Sequence, residues 1–467
     1  MAQGSPMGGL SRGKRGAVLW AIMGNACCVK SRSKQGALLA KDGGTVDADE
    51  PVGDKTQVET EKSAGASGQK PVYVGCVKEG DYQGLLYFDS GSTGTRPYVF
   101  IRRSADASVS EFWQLAWAQE VRQVRIHTCV SSEAHGNEEL LRRLRGSPDE
   151  EGRLGLLEGL RLSQEFTDYI ADAISQAGSI VSSSMQAEAG HGVKFWSNGS
   201  ALLISDIVVA ITGGLRSAVG ESPAVLREVD ARLTGLLSSR LQQAKGLGGV
   251  RLVAKLLPGS EEARCEAAAV RVLSAMQGSA SLGGAASGVI SMGGASVQVS
   301  VNGTSLCIPM GRNRAIEAAH KADGEPGHLD DFRAEFAAAR AAALADHLEL
   351  IESPRTWIAV SGLYYTARDL GIRLEQPLDL AEARAELRAR ALARESEAGE
   401  GEDPAAVDAR AGSAACALEV LATLSGLVVF QREWLNPTTN QRLAATVSTG
   451  YVVSHLGYAG ELPTAVK

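Results

Sequence analysis

At 467 residues with 44% hydrophobic content the chain can hold two or three ordinary domains and a sizeable core, and its 5% aromatic share makes that core an aliphatic one. The formal net charge of −7 excludes the basic surface on which nonspecific nucleic-acid binding depends. No run of residues reaches the roughly 18 apolar positions of a membrane-spanning helix, and the seven His and seven Cys fall into no zinc-ligand spacing.

Residues 1–70 are rich in Gly, Ser, Lys and Asp and predict a disordered arm. Within it, residues 12–34 place basic residues on both sides of a 14-residue apolar run, and three readings stay open. Arg12, Lys14 and Arg15 could head a secretory signal peptide. MGNACC from Met23 could start a chain acylated at Gly24 and palmitoylated at Cys27 and Cys28, with Lys30, Arg32 and Lys34 drawn to anionic lipid as a peripheral membrane anchor. The third reading is a sticky segment without a targeting role. Localisation is left between the cytoplasm, a lipidated membrane-associated form and the secretory pathway. Cys76, Cys129, Cys265, Cys307 and Cys416 are dispersed and odd in number, which favours a reducing environment.

From Pro71 the ordered core begins, with PVYVGCV (71–77) and LLYFDSG (85–91) as strands. Helices are expected at 108–123 and 157–176. ALLISDIVVAITGG (201–214) predicts a buried strand, 223–243 an amphipathic helix, and VRLVAKLLPG (250–259) a strand feeding a helix that begins SEEARCEAAA. Further helices are expected over 328–350, 379–395 and 414–430, with 395–404 an acidic surface loop. Residues 443–456 are expected to return the chain to its first half.

Two stretches share one grammar. YFDSGSTGTRPYVF (87–100) runs from an apolar strand into an Asp and a Gly/Ser/Thr turn, then into a second strand. Gly91 and Gly94 are suited to positive φ and close backbone approach, Ser92, Thr93 and Thr95 add hydroxyls, and Asp89 can hold Mg²⁺ or Ca²⁺ through water. GVISMGGASVQVSV (288–301) repeats strand, small-residue turn and strand about 200 residues later. One such hairpin can exist without a ligand. A pair facing each other makes the two jaws of a nucleotide cleft in a duplicated domain.

These segments resemble the signatures of the apyrases, the nucleoside triphosphate diphosphohydrolases of the actin, sugar kinase and Hsp70 superfamily. DSGSTGTR (89–96) is similar to DAGSTGTR and differs at Ser90; ITGGLR (211–216) is similar to ATAGLR. PGSEEA (258–263) resembles a Gly-x-x-Glu-Gly strand end, SMGGASVQV (291–299) resembles DLGGASTQI, and WIAVSGLYYTARDLGI (357–372) resembles an aromatic helix near the base site. The five stand in the family's order. The resemblance implies an α/β, two-lobed actin-like fold, an RNase H-like duplication with the nucleotide between the lobes. Residues 71–258 and 440–467 would form the first lobe and 259–439 the second.

It also implies site roles. The turn from Ser90 through Gly91, Ser92, Thr93, Gly94 and Thr95 to Arg96, with Thr212 and with Gly293, Gly294 and Ala295, would hold phosphates. Asp89 and Ser291 would hold the metal, Mg²⁺ or Ca²⁺, through water. Glu262 would be the general base, and Ser296 and Gln298 would orient the attacking water. Glu262 is chosen over Glu261 because it stands three residues after Gly259, and Glu266 is the fallback. On its own, Glu262 could equally be a helix N-terminal acid. Tyr364 and Tyr365 could face a nucleobase or belong to the core.

The chain departs from the pattern at Ser291, where the family has a second acidic residue, at Ala263 for Gly, at Ala267 for an aromatic, and at Val447 where a Trp is common. The expected activity is metal-dependent hydrolysis of nucleoside di- or triphosphates, with reduced turnover or a pure nucleotide-binding module as the alternative. A kinase or exopolyphosphatase of the same superfamily finds no signature of its own.

Overall fold

The computed structural model describes residues 82–103, 112–116, 124–174, 176, 204–241, 251–277, 287–320, 328–352, 356–397, 402–422, 424–435 and 442–455. The N-terminal arm, its 12–34 segment and the strand expected at 71–77 lie outside these residues.

The first lobe is built on a five-stranded sheet. Its strands are β1 (Tyr82–Ser90), β2 (Thr95–Arg103), β3 (Phe112–Ala116), β6 (Ile204–Ile211) and β7 (Arg251–Leu256), with a small separate pair, β4 (Val130–Ser132) and β5 (Leu160–Leu162). The order is β3-β2-β1-β6-β7, antiparallel through the first three strands and parallel beyond. Helices α1 (Ile126–Cys129), α2 (Asn137–Gly146), α3 (Glu150–Leu157), α4 (164–174), α5 (Gly213–Val219) and α6 (Pro223–Leu241) complete the lobe. Period-two alternation divides β1 between two cores: Leu86 and Phe88 pack with these helices, while Leu85 and Tyr87 turn to the other face.

Helix α7 (Gly259–Met276) follows, and the pattern repeats. Strands β8 (Ser287–Met292), β9 (Val297–Val301), β10 (Thr304–Ile308), β11 (Thr356–Ser361), β12 (Leu378–Asp379) and β13 (Leu427–Phe430) form the second sheet. Its order is β10-β9-β8-β11-β13-β12. The first five reproduce the first lobe in order and in sense, with β12 added as an antiparallel edge. Helices α8 (Arg312–Ala319), α9 (Leu329–Leu344), α10 (Leu348–Glu352), α11 (Gly362–Asp369), α12 (Leu380–Glu397) and α13 (Pro404–Leu421) belong to this half, followed by the hairpin β14 (Glu433–Leu435) and β15 (Arg442–Ala444) and by α14 (Val447–His455). This is the two-lobed actin-like ATPase fold.

A third core joins the lobes. Leu85, Tyr87, Phe100, Val208 and Ala210 of the first sheet and Val289, Ile358, Val360 and Val429 of the second cluster with α7 and α14. Alanines 263, 267, 268 and 269 keep α7 slim enough to be buried there. Gly450 on α14 is obligatory: a Cβ at that position would stand 1.6 Å from the Cys265 carbonyl oxygen.

Several local expectations are corrected. Within 157–176, expected as one helix, α3 ends at Leu157, Gly159 turns the chain at φ 77° and Leu160–Leu162 form β5 before α4 begins at 164. The helix expected over 328–350 is divided into α9 and α10. Residues 112–116, expected as helix, form edge strand β3. Residues 414–430, expected as one helix, are the end of α13 and then β13, separated by Gly426 at φ 91°. Residues 357–361, placed on an aromatic helix, belong to β11, and the helix starts at Gly362 after Ser361 at φ 57°. Gly91 takes no positive φ, whereas Gly94 sits at φ 158°; the first turn therefore needs less conformational freedom than its glycines suggest.

Candidate active site

The first hairpin leaves β1 at Ser90 and re-enters the sheet at Thr95, closed by Gly91 N–H donating to the Gly94 carbonyl at 2.9 Å. Ser90 and Thr95 are fully buried. The Thr95 hydroxyl donates to the Val124 carbonyl at 2.6 Å and lies 3.1 Å from the Ser90 hydroxyl, so both side chains are turned into the lobe. Ser92 and Thr93 are the partly exposed hydroxyls of the turn, and Arg96 donates to Thr93 at 3.3 Å. Asp89 pairs in register with Arg96. Burial raises its carboxyl above the usual range, and the Arg96 charge works against that shift.

Thr212 joins the second signature to this turn: its N–H donates to the Ser90 carbonyl at 3.0 Å. The next two residues open α5 at close quarters. A Cβ on Gly213 would meet Ala295 at 2.8 Å, and one on Gly214 would meet His127 Nδ1 at 2.7 Å and Ser92 Cα at 3.2 Å. The second hairpin approaches from the other lobe, with the Cβ position of Gly294 2.7 Å from Ser92 Oγ and 2.8 Å from Asn313 Nδ2. Gly293 N–H closes this turn on the Ser296 carbonyl at 2.8 Å. The two turns, 90–95 and 293–296, therefore face each other in contact.

Arg216, one turn into α5, reaches across this junction. Its Nη1 donates to Glu262 Oε2 at 2.7 Å and to the Leu257 carbonyl at 2.9 Å, its Nη2 donates to Ser296 Oγ at 2.9 Å, and its Nε lies 3.1 Å from Glu221. The guanidinium is 5% exposed and Glu262 12%. Burial opposes the Arg216 charge, and Glu262, Cys307 and Glu221 together more than offset it. Burial raises the Glu262 carboxyl, with Arg216 pulling the other way. Gln298 Nε2 also donates to Ser296 Oγ, at 2.7 Å. The same buried hydroxyl also bonds the Cys307 thiol, so it is held from three sides. Gln298 Oε1 is buried with no hydrogen-bond partner among the described residues, an acceptor without a donor.

Ser291 and Gln298 face one another across β8 and β9. The Ser291 side chain is buried and donates to Glu266 Oε1 at 2.8 Å. Burial, and after it Glu262, push the Glu266 carboxyl well above the usual carboxylate range. Tyr364 and Tyr365 are half-buried on α11 and meet edge to face, 5.7 Å between centroids. Tyr364 packs against the second-lobe core, and the Tyr365 ring carries the guanidiniums of Arg368 and Arg432 at 5.0 and 5.1 Å.

Sequence reasoning passed over Arg216, His127 and Asn313 as site residues, and reached Glu266 only as the fallback base. Arg216 was within reach, as the last residue of ITGGLR. The others have no spacing signal, because each meets the turns only through the folded lobes.

No protein-family model matches the chain, and no curated protein matches it. Among solved structures it is similar to a nucleoside triphosphate hydrolase from Neospora caninum, at 12% identity and a TM-score of 0.45 over 81% of this chain and 93% of that one. It is also similar to a Ppx/GppA family member from Aquifex aeolicus, at 11% identity and a TM-score of 0.41 over 82% and 100%, and to an exopolyphosphatase-like protein, at 14% and 0.43 over 80% and 98%. The repeated strand order, independent of these likenesses, defines the fold.

Proposed function

We propose that this protein hydrolyses terminal phosphoanhydride bonds, with nucleoside tri- and diphosphates as substrates and Mg²⁺ or Ca²⁺ as the required ion. The observation that carries the reading is the junction itself: a Gly/Ser/Thr turn from each lobe, with Glu262, Ser296, Gln298 and Arg216 gathered where the turns meet.

Phosphoryl transfer asks the protein for positioning and charge neutralisation more than for covalent chemistry. The backbone N–H groups and exposed hydroxyls of the two turns would hold the phosphates. Gln298 Oε1 would accept a hydrogen bond from the attacking water, and Ser296 would hold the Gln298 amide in place for it. Glu262, tied to Arg216 through Oε2, would take the water's proton on Oε1 as the oxygen bonds to the terminal phosphorus and the anhydride bond breaks. Among the described residues no three His, Cys, Asp or Glu side chains converge to bind a metal directly. The donors fit an ion that keeps its water shell, with Asp89 and Ser291 as the residues that would hold it. When bound, the ion supplies compensation for phosphate charge.

The alternative, a nucleotide-binding module without turnover, is favoured by the Arg216–Glu262 ion pair, which engages one oxygen of the base, and by Ser291. Phosphate release from the purified full chain decides between them, using nucleoside di- and triphosphates and inorganic polyphosphate with Mg²⁺, Ca²⁺ or chelator. Metal-dependent release from a nucleotide supports the hydrolase, and release from polyphosphate alone replaces the substrate class. Nucleotide binding without release from any substrate supports the module.

A further inference from the structure

The second hairpin lacks a carboxylate on its own strand, but a carboxylate stands next to it. Ser291 lies toward the end of β8, as Asp89 lies toward the end of β1, and its hydroxyl donates to Glu266 Oε1 at 2.8 Å. Glu266 comes from α7, one turn beyond Glu262, and is 4% exposed. Its other oxygen, Oε2, has no hydrogen-bond partner among the described residues. Ala267, Ala269, Val270 and Leu273 of α7 belong to the apolar core beside it, and the charges of Glu262, Asp89 and Arg216 act on it. An ionisable side chain held there with one oxygen unsatisfied is costly compared with an apolar one. A cation with its water shell removes that cost by giving Oε2 a donor.

We propose that Glu266 is the second carboxylate of the divalent-cation site: the charge sits on helix α7, and Ser291 orients it from the strand. Ser291 is then a positioning residue, and Glu266 shares the ion's water shell with Asp89. This inference rests on the metal-dependent reading above. It separates Glu266 from Glu262, because a group on the water shell governs ion affinity whereas a base governs turnover.

The test is a titration of the full chain with Mn²⁺ alone, following free Mn²⁺ by electron paramagnetic resonance, with thermal melting as the check on folding. Glu266→Gln is expected to weaken Mn²⁺ binding about 10- to 100-fold, as loss of an outer-shell partner does. Adding Ser291→Asp to that variant is expected to bring affinity back to within about threefold of the wild type, the non-additivity of two groups sharing one role. Ser291→Asp alone is expected to gain nothing, since it sets a second carboxylate against Glu266. Wild-type affinity in Glu266→Gln, no recovery in the double variant, or no Mn²⁺ binding by the wild type overturns the assignment. Should Glu266→Gln not fold, Ser291→Asp still decides, because tighter Mn²⁺ binding there means that position 291 lacked its carboxylate. Phosphate release measured in parallel separates the two claims. Release combined with Mn²⁺ affinity indifferent to Glu266 sinks this inference alone, and Glu266-dependent Mn²⁺ binding without release from any substrate sinks the hydrolase reading alone.

Discussion

Toward the end of β1 the first hairpin carries Asp89, paired in register with Arg96, whereas the matching place on β8 carries Ser291, paired with Gln298 and bonded to Glu266. Behind the first turn stands a histidine, His127, and beside the second an amide, Asn313. The backbones repeat, and the charges do not. In the first lobe the strand brings its own acid and base to the turn. In the second the strand is neutral, and its acidity arrives from α7, the helix shared by both lobes. Duplication fixed the strand order, while each hairpin is free to take its charge from whichever element lies nearest.

The largest expected effect tests whether α7 supplies the chemistry of the second half. Glu262→Gln is expected to lower phosphate release by about 10²- to 10⁴-fold, the range of a lost general base, with nucleotide affinity nearly unchanged. Steady-state kinetics with a parallel binding titration check it. If Glu266→Gln is the silent enzyme while its Mn²⁺ affinity stays normal, the base lies one turn further along the helix than assigned.

The next effect concerns the strap between the unequal halves. Arg216→Met leaves Glu262 without its buried partner and removes a donor from Ser296. Breaking such a pair costs on the order of 3 to 5 kcal/mol, so chemical denaturation should show a markedly lower midpoint. A midpoint close to that of the wild type would mean the two hairpins are held together by packing alone.

The asymmetry itself is measured by Asp89→Asn against Ser291→Ala. The first removes a charge from the ion's water shell and is expected to cost roughly 10- to 100-fold in Mn²⁺ affinity. The second removes one hydrogen bond from a carboxyl that stays in place and should cost about 1 kcal/mol, near fivefold. Equal losses would break the comparison.

A separate effect is on pH. Burial, and after it the charge of Arg125, bring the His127 imidazole down to about 4 from its ordinary 6.5. The unfolded chain therefore takes up this proton first. The stability from this site is complete above about 6.5 and is lost as pH falls toward about 4. His127→Gln should flatten the acid limb of melting temperature against pH, whereas Asn313→Gln should leave its shape alone, because an amide does not titrate.

Both hairpins were legible in the sequence because strand, small-residue turn and strand leave a local imprint, and α7 because VRLVAKLLPG ends where SEEARCEAAA begins a helical period. The edge strand Phe112–Ala116 was not, since five residues of FWQLA fit a helical stripe as well as a strand face. Residues 427–430 were absorbed into a helix because their apolar run follows that of α13 with only Gly426 as punctuation. The Glu266–Ser291 pair had no imprint at all. Its members lie 25 residues apart on a helix and a strand whose contact exists only once the second sheet is assembled.

The Gly450 contact has a mechanical consequence. With no side chain between α14 and the Cys265 carbonyl, the two helices come backbone to backbone at this place within the core between the sheets. Any side chain at position 450 would therefore push α14 off α7 and open the apolar layer that joins the two sheets.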